Sequence, residues 1–254
     1  MVYRLSAACG CSVGRIRDNN EDNFYFNGHI LGEQNNGLTG TISMKCRTSD
    51  PACFAIFDGM GGEECGELAS YTAAAALDVR IKDLRNTLSA PREFLESSCC
   101  AMSDAVYAAG KSSGVGRMGT TVSMLLLSMD KAYVCNIGDS RAYLLRNNKL
   151  IQISEDHVER LPPGSRQKKT RLTQYLGVCG DELMLEPHIA AYDIQPDDIF
   201  LLCSDGLTDM LTGEEICTCI TQSLSTKWMV SRLIDLANHH GGRDNITALI
   251  IKIQ

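Results

Sequence analysis

Residues 120–153 read TTVSMLLLSMDKAYVCNIGDSRAYLLRNNKLIQI. Four strand-like runs, Thr120–Ser128, Ala132–Ile137, Arg141–Arg146 and Leu150–Ile153, follow one another with short polar links. Two of the links, Met129-Asp130-Lys131 and Asn147-Asn148-Lys149, have the length and composition of hairpin turns. Consecutive hairpins make an antiparallel sheet. Further strands are predicted at Val2–Ala8, Asn23–Ile30 and Ala52–Phe57 before this block, and at Pro187–Tyr192, Asp198–Cys203 and Ile246–Ile253 after it. Helices are predicted over Glu64–Leu84, Pro91–Ala109, Gly213–Ser223 and Thr226–His239. The first has one apolar face (Leu68, Ala69, Thr72, Ala73, Ala76, Leu77), with Glu63, Glu64 and Glu67 near its N-terminus, where acids suit the helix dipole. Pro91 suits the first turn of the second.

Strands cluster in the middle and helices come in pairs. This favours an α+β fold over alternating βαβ units: a four-layer αββα sandwich, two packed antiparallel sheets flanked by helix pairs. No linker or internal repeat divides the chain, so residues 1–254 read as a single domain. Two polar stretches remain. Gly32–Pro51 reads as a long loop. Glu155–Glu186, with Pro162-Pro163-Gly164 and the basic residues Arg166, Lys168, Lys169 and Arg171, reads as a short flap. The basic run itself has the character of a solvated face.

The chain of 254 residues, 44% hydrophobic and 22% charged, is long enough to bury a substantial core. A net charge of −7 disfavours nucleic acid, whose phosphates require clustered Lys and Arg. No apolar stretch is long enough to span a bilayer. Leu5-Ser6-Ala7-Ala8-Cys9 faintly resembles a lipoprotein cleavage site but lacks the apolar region that precedes one. The expectation is a cytoplasmic monomer without membrane attachment. The twelve cysteines are scattered with no C-x-x-C pair, so zinc-ribbon and thioredoxin-like readings lack support. Cys53, Cys135 and Cys203 lie in apolar runs and read as small buried hydrophobes in a reducing compartment.

Acids stand beside glycines or turn residues at five places. These are Asn20-Glu21-Asp22-Asn23, Phe57-Asp58-Gly59-Met60-Gly61-Gly62, Ile137-Gly138-Asp139-Ser140-Arg141, Cys203-Ser204-Asp205-Gly206 and Arg243-Asp244-Asn245. Any one of them is explained by turn formation or capping. Together they imply a shared, strongly positive, oxygen-seeking partner, because a charge at the end of a buried strand is costly unless compensated. Hard divalent cations such as Mg²⁺ or Mn²⁺ fit that description.

In this order the motifs resemble the metal-dependent protein phosphatase family, also called protein phosphatase 2C, and its bacterial members most. The resemblance runs from Gly14-Arg15-Ile16-Arg17-Asp18-Asn19-Asn20-Glu21-Asp22 through Asp58-Gly59-Met60-Gly61-Gly62 and Met118-Gly119-Thr120-Thr121. It continues through Gly138-Asp139-Ser140-Arg141-Ala142-Tyr143, Leu172-Thr173-Gln174-Tyr175-Leu176-Gly177 and Ser204-Asp205-Gly206-Leu207-Thr208-Asp209 to Arg243-Asp244-Asn245-Ile246-Thr247. The resemblance implies a serine/threonine phosphatase using two Mn²⁺ or Mg²⁺ ions and a metal-bridging water or hydroxide, with no covalent intermediate. Asp58 would bridge the ions, with the Gly59 carbonyl as a further ligand. Asp205 and Asp244 would hold the first ion. Glu21 would serve the second, with Asp22 close by. Asp139 would join Asp205 in a weaker third site, and Arg17 would grip the substrate phosphate. The substrates would be phosphorylated cytoplasmic proteins, with a cognate serine/threonine kinase among the expected partners.

The chemistry supports these residue types independently. Two metal ions a few ångströms apart generate a nucleophile at neutral pH and neutralise developing charge. Arginine offers phosphate a planar, always-charged fork. One departure from many eukaryotic relatives is Met60, which occupies the place of a histidine proposed as general acid; thioether sulfur has no proton to give. His239 and His240 lie near Asp244, although a helix C-terminus favours histidine in any case. Arg141 beside Asp139 is expected to pair with an acid and brace the sheet.

Two rival readings are weaker. Cys11-Ser12-Val13-Gly14-Arg15-Ile16-Arg17 matches the C-x-x-G-x-x-R core of cysteine-dependent phosphatases. However, Gly10 replaces the usual histidine, and Asp18, Glu21 and Asp22 would repel a phosphate in the absence of metal. A catalytically inactive phosphoprotein-binding module on the same fold would be expected to lack a ligand acid, and none is missing.

Overall fold

A computed structural model describes residues 1–60, 65–82, 90–115, 117–159, 171–180 and 183–254. The elements in chain order begin with β1 (Arg4–Ser12), β2 (Asp22–Phe26), β3 (Ile42–Arg47), β4 (Ala52–Met60), α1 (Gly66–Ile81) and α2 (Pro91–Ser112). Next come β5 (Gly119–Thr120), β6 (Val122–Ser128), β7 (Lys131–Ile137), β8 (Arg141–Arg146), β9 (Lys149–Gln152), β10 (His188–Asp193) and β11 (Ile199–Cys203). The chain closes with α3 (Asp205–Thr208), α4 (Gly213–Thr221), α5 (Thr226–His239) and β12 (Ile246–Ile253).

Six strands form one sheet in the order β3-β1-β12-β11-β8-β9, and β10-β7-β6-β4-β2 form the other, with β5 pairing beside β4. The strand pairs are antiparallel. The hairpins close where the links predict. Ser128 pairs with Lys131 around Met129 and Asp130, and Arg146 pairs with Lys149 around Asn147 and Asn148. Both asparagines have positive φ, which Asn tolerates better than most residues.

Alternation along the strands separates three apolar layers. On β4, Phe54 and Ile56 enter the core between the sheets, where they meet Phe24, Phe26, Leu202 and Leu249. Cys53, Ala55 and Phe57 on the same strand face Ala69, Leu77 and Leu95 of α1 and α2. On the far side, Leu201 and Ile250 face Leu207, Ile216 and Leu233 of α3, α4 and α5. Strands buried on both faces read as continuous apolar runs, which is why the central ones are so plain in the sequence. Caps fix the helix starts. Pro91 opens α2, Thr212 and Glu215 form a capping box on α4, and the Ser225 side chain accepts from the Trp228 amide at α5.

Two elements differ from expectation. The stretch Gly32–Pro51 contains β3, an edge strand on which Ile42, Met44 and Cys46 are half-buried and Ser43, Lys45 and Arg47 are exposed. α1 begins at Gly66 within the described residues; Gly61, Gly62, Glu63 and Glu64 lie outside them, leaving Glu67 as the described first-turn acid. Pro162, Pro163, Gly164, Arg166, Lys168 and Lys169 also lie outside the described residues. The flanks of that segment pair with each other through a Val158–Leu172 bridge, and Leu176 bridges to Thr120. No helix among the described residues is long and apolar enough to cross a membrane.

Phe54 is fully buried with its ring centroid 5.4 Å from that of Phe26. Phe54→Ala removes an aromatic ring from the seam that joins the sheets and should lower unfolding free energy by about 3–5 kcal/mol. Urea denaturation of the two proteins checks this; a loss below about 1 kcal/mol would mean that the seam collapses to fill the space.

Candidate active site

Antiparallel pairing brings alternate strand ends to the same edge of a sheet. Asp58 and Gly59 lie near the C-terminal end of β4, and Asp22 opens β2 directly opposite Asp58 in register. In the other sheet Cys203, the last residue of β11, pairs with Ala248 of β12 and Arg141 of β8. Asp205 therefore follows β11 where Asp244 precedes β12 and Asp139 precedes β8. The acids meet at one end of the sandwich.

Glu21, Asp58, Gly59, Asp139, Asp205 and Asp244 line a pocket of about 510 Å³, with Arg17 on its wall. Its other walls include Met60, Thr121, Arg117, Arg171 and Tyr175. Asp22 is not part of the wall. It is 1% exposed, and its Oδ2 accepts hydrogen bonds from Ser204 Oγ at 2.8 Å and Thr247 Oγ1 at 2.6 Å. The register sets Asp22 beside Asp58, and its carboxylate is taken up by these two hydroxyls.

Close backbone approaches shape the pocket floor. A Cβ on Gly59 would lie 2.0 Å from the Gly66 carbonyl oxygen and 2.6 Å from that of Glu21. A Cβ on Gly66 would lie 2.7 Å from Glu21 Oε2 and 3.0 Å from the Gly59 carbonyl oxygen. The Glu21 carboxylate and Gly59 carbonyl thus share one cradle at the start of α1, kept open by an absent side chain. Nothing in the sequence reading singled out Gly66; an unexplained glycine at a helix start was the signal. Asn245 ties the loops together: its Oδ1 accepts from the Glu21 amide at 2.8 Å, and its Nδ2 donates to the carbonyls of Val13 and Asn19, each at 2.9 Å. The Asp58 peptide is held from the other side. Thr121 Oγ1 accepts from its amide at 3.1 Å, and Thr120 Oγ1 donates to its carbonyl at 2.9 Å.

The electrostatics are strained toward negative charge. Burial holds the Asp58 carboxyl well above the usual carboxylate range, and Asp205, Asp22, Asp139 and Asp244 push it the same way. Asp22 is pushed up to about 7, chiefly by burial, with Asp205 and Asp244 adding to the shift and its two hydroxyl donors opposing it. Glu21 is raised by burial and Glu67, against the pull of Arg17. Arg17 donates from Nη2 to Asp244 Oδ2 at 2.7 Å. Among the described residues no three His, Cys, Asp or Glu side chains are closed into a group that could hold a metal by themselves. The fit to an ion rests on the donor set: carboxylates and a cradled carbonyl, all oxygen. This is the chemistry of hard divalent cations, which complete their shells with water.

Residues 11–179 match the family described as Protein phosphatase 2C. The chain belongs to the protein phosphatase 2C family. The phosphatase is 30% identical over 250 residues to the serine/threonine phosphatase Stp of Listeria welshimeri, covering 94% of this chain and 92% of that one. Among solved structures it is similar to the Mycobacterium tuberculosis serine/threonine phosphatase PstP/Ppp, with a TM-score of 0.79, 29% identity and 98% of each chain covered. It is also similar to the catalytic domain of PstP in complex with two manganese ions, with a TM-score of 0.76, 28% identity, and 100% of this chain and 99% of that one covered.

The phosphatase does not use Cys11 as a nucleophile. That thiol is buried, pushed up to about 12 by burial and Asp22, and enclosed by Asn20 Nδ2 and Thr247 Oγ1, each 3.1 Å away. A thiol that resists ionisation is a poor nucleophile. No histidine lines the pocket among the described residues, and His240 Nδ1 lies 3.1 Å from the Met210 carbonyl, away from the acids. Arg141 braces the sheet edge as expected, donating to both oxygens of Asp156 at 2.6–3.1 Å. Arg171, read as part of a solvated face, is exposed but stands on the pocket rim with Arg117 and Tyr175.

Because Asp22 and Asp58 are raised, the folded metal-free protein binds more protons than the unfolded chain above the ordinary carboxylate pKa. Its stability should therefore fall as pH rises from about 5 toward 7.5. Urea midpoints measured in EDTA across that range check this. Mn²⁺ should flatten the slope, and Asp22→Asn, which keeps an acceptor for Ser204 and Thr247, should reduce it. A midpoint that rises with pH in EDTA would contradict the assignment.

Proposed function

We propose that Asp58 is the central acid of this phosphatase's site: with Gly59 and Glu21 it would hold one divalent ion, and with Asp205 and Asp244 another. The protein is a metal-dependent serine/threonine protein phosphatase. The observation that supports the residue roles is the convergence of Glu21, Asp58, Asp139, Asp205 and Asp244 on one pocket with Arg17 on its wall. When bound, divalent cations such as Mn²⁺ or Mg²⁺ activate a water for attack on phosphorus and neutralise developing charge.

The chain's own residues do the rest. Arg17 orients the phosphate with its planar fork while remaining within reach of Asp244. Thr120 and Thr121 fix the Asp58 peptide, and Asn245 sets the spacing between the Glu21 and Asp244 loops. Asp22 contributes charge from behind the wall rather than a direct contact with the pocket. Asp139 stands with Asp205 for a weaker third ion. Met60 on the wall has no proton to offer, so the departing alkoxide must be protonated by another group. The chain reads as one catalytic domain. Its substrates are phosphorylated proteins, with a cognate serine/threonine kinase among them, and it acts as a cytoplasmic monomer in signalling.

The decisive test combines EDTA with one isosteric substitution. EDTA should abolish hydrolysis of an aryl phosphate and a phosphothreonine peptide, and Mn²⁺ should restore it. Asp58→Asn should lower kcat at least about 10²-fold, the scale of losing a charged group at the reacting centre, while raising the thermal midpoint of the metal-free protein. Wild-type kcat in Asp58→Asn would remove this residue from the bridging role.

Arg17→Ala separates phosphate binding from ion binding. KM for phosphosubstrates should rise about tenfold or more, the scale of a charge-assisted contact. Mn²⁺ affinity should be retained or increased, because Asp244 loses its competing cation. Calorimetric titration with Mn²⁺ reads the second part; a collapse of binding would make Arg17 structural.

A further inference from the structure

Beside the catalytic pocket lies a second cavity of about 160 Å³. The two share Arg117, Met118 and Tyr175 as a common wall. On its far side the second cavity is bounded by α2, through Tyr107 and Lys111. Among the described residues no Asp or Glu lines it, whereas Lys111 and Arg117 both do. The Lys111 ammonium stands 4.9 Å from the centre of the Tyr107 ring, which holds the flexible side chain over the cavity by cation–π attraction. Tyr107, Tyr175 and the Met118 side chain line the cavity together with these cations.

We infer that this side cavity is a recognition subsite for an anionic side chain that neighbours the scissile phosphoresidue on the same polypeptide. The inference rests on the phosphatase reading and names its substrate class: phosphoserine or phosphothreonine flanked by a carboxylate or a second phosphate. A phosphoresidue seated in the catalytic pocket leaves its flanking chain beside the wall of Met118 and Tyr175 that the two cavities share. On the other side of that wall Lys111 offers a flanking anion a charge of opposite sign. The subsite thus selects against basic neighbours as well as for acidic ones.

The test uses the Mn²⁺-loaded protein and a phosphothreonine peptide with neutral flanks. Variants of that peptide carry Glu, a non-hydrolysable phosphonate or Lys at each of the three positions on either side. At one or two positions Glu or the phosphonate should raise kcat/KM about fivefold and Lys should lower it, the scale of an exposed charge pair. Preference for only one of the two anions tells carboxylate from phosphate recognition and supports the subsite either way. Lys111→Glu should invert the preference, leaving the neutral peptide and p-nitrophenyl phosphate unchanged; Lys111 is exposed near the end of α2 and takes no part in the catalytic wall. Equal rates for acidic, neutral and basic flanks would overturn the subsite. So would a preference that survives Lys111→Glu, or a loss that falls equally on every substrate. Failure to hydrolyse the neutral peptide at all would instead count against the phosphatase reading, which keeps the two outcomes apart.

Discussion

Mutual repulsion among buried carboxylates is the constraint around which this end of the molecule is built. Asp22 and Asp58 are register partners on adjacent strands, and both are pushed toward the protonated form by burial and by acids arriving from the other sheet. A hydrophobic sandwich alone gives no reason to assemble such a cluster, because each added charge raises the penalty for the rest. What the surrounding residues supply is partial compensation. Ser204 and Thr247 donate to Asp22, and Arg17 pairs with Asp244. The remaining negative charge is the binding energy available to divalent ions.

That constraint also explains the rigidity around the acids. Repelling groups would splay their loops unless the backbone were held, and it is held at several points. Asn245 bonds three backbone groups in the connection between β1 and β2, namely those of Val13, Asn19 and Glu21. A Cβ on Gly206 would lie 2.0 Å from the Asn245 carbonyl oxygen, so the Asp205 and Asp244 loops touch where any larger residue would separate them. The stability of the sandwich, held by the apolar seam between the sheets, is what allows this end to carry unfavourable charge.

The readability of the chain follows from these physical differences. Central strands such as β4, β6 and β11 are buried on both faces and appear as unbroken apolar runs, so their existence is plain in the sequence. β3 was hidden inside a polar stretch because an edge strand buries only alternate residues, and its Lys45 and Arg47 look like loop residues. The acids were legible because charge at strand ends is unusual. Their division of labour was less so: only the tertiary contacts show that Asp22 is enclosed by the Ser204 and Thr247 hydroxyls while Asp58 faces the pocket. Gly66, Arg117 and Tyr175 gain their meaning from what packs against them across long sequence separations, which no local pattern records.

The catalytic floor and its rim are mechanically one unit. Thr120 donates its side-chain proton to the Asp58 carbonyl, while its backbone exchanges hydrogen bonds with Leu176 at 2.9 and 3.1 Å. Tyr175 immediately precedes Leu176, and its ring lies where a Cβ on Gly119 would come within 2.6 Å of it. The path from a rim residue to the acid at the centre is therefore two residues and two hydrogen bonds long. Any substrate segment that presses on Tyr175 acts on a strand already bonded to Asp58. Positive rim and negative floor are thereby kept at a fixed separation, so that a phosphoprotein meets cations at the edge before its phosphate reaches the acids and the ions they are suited to hold.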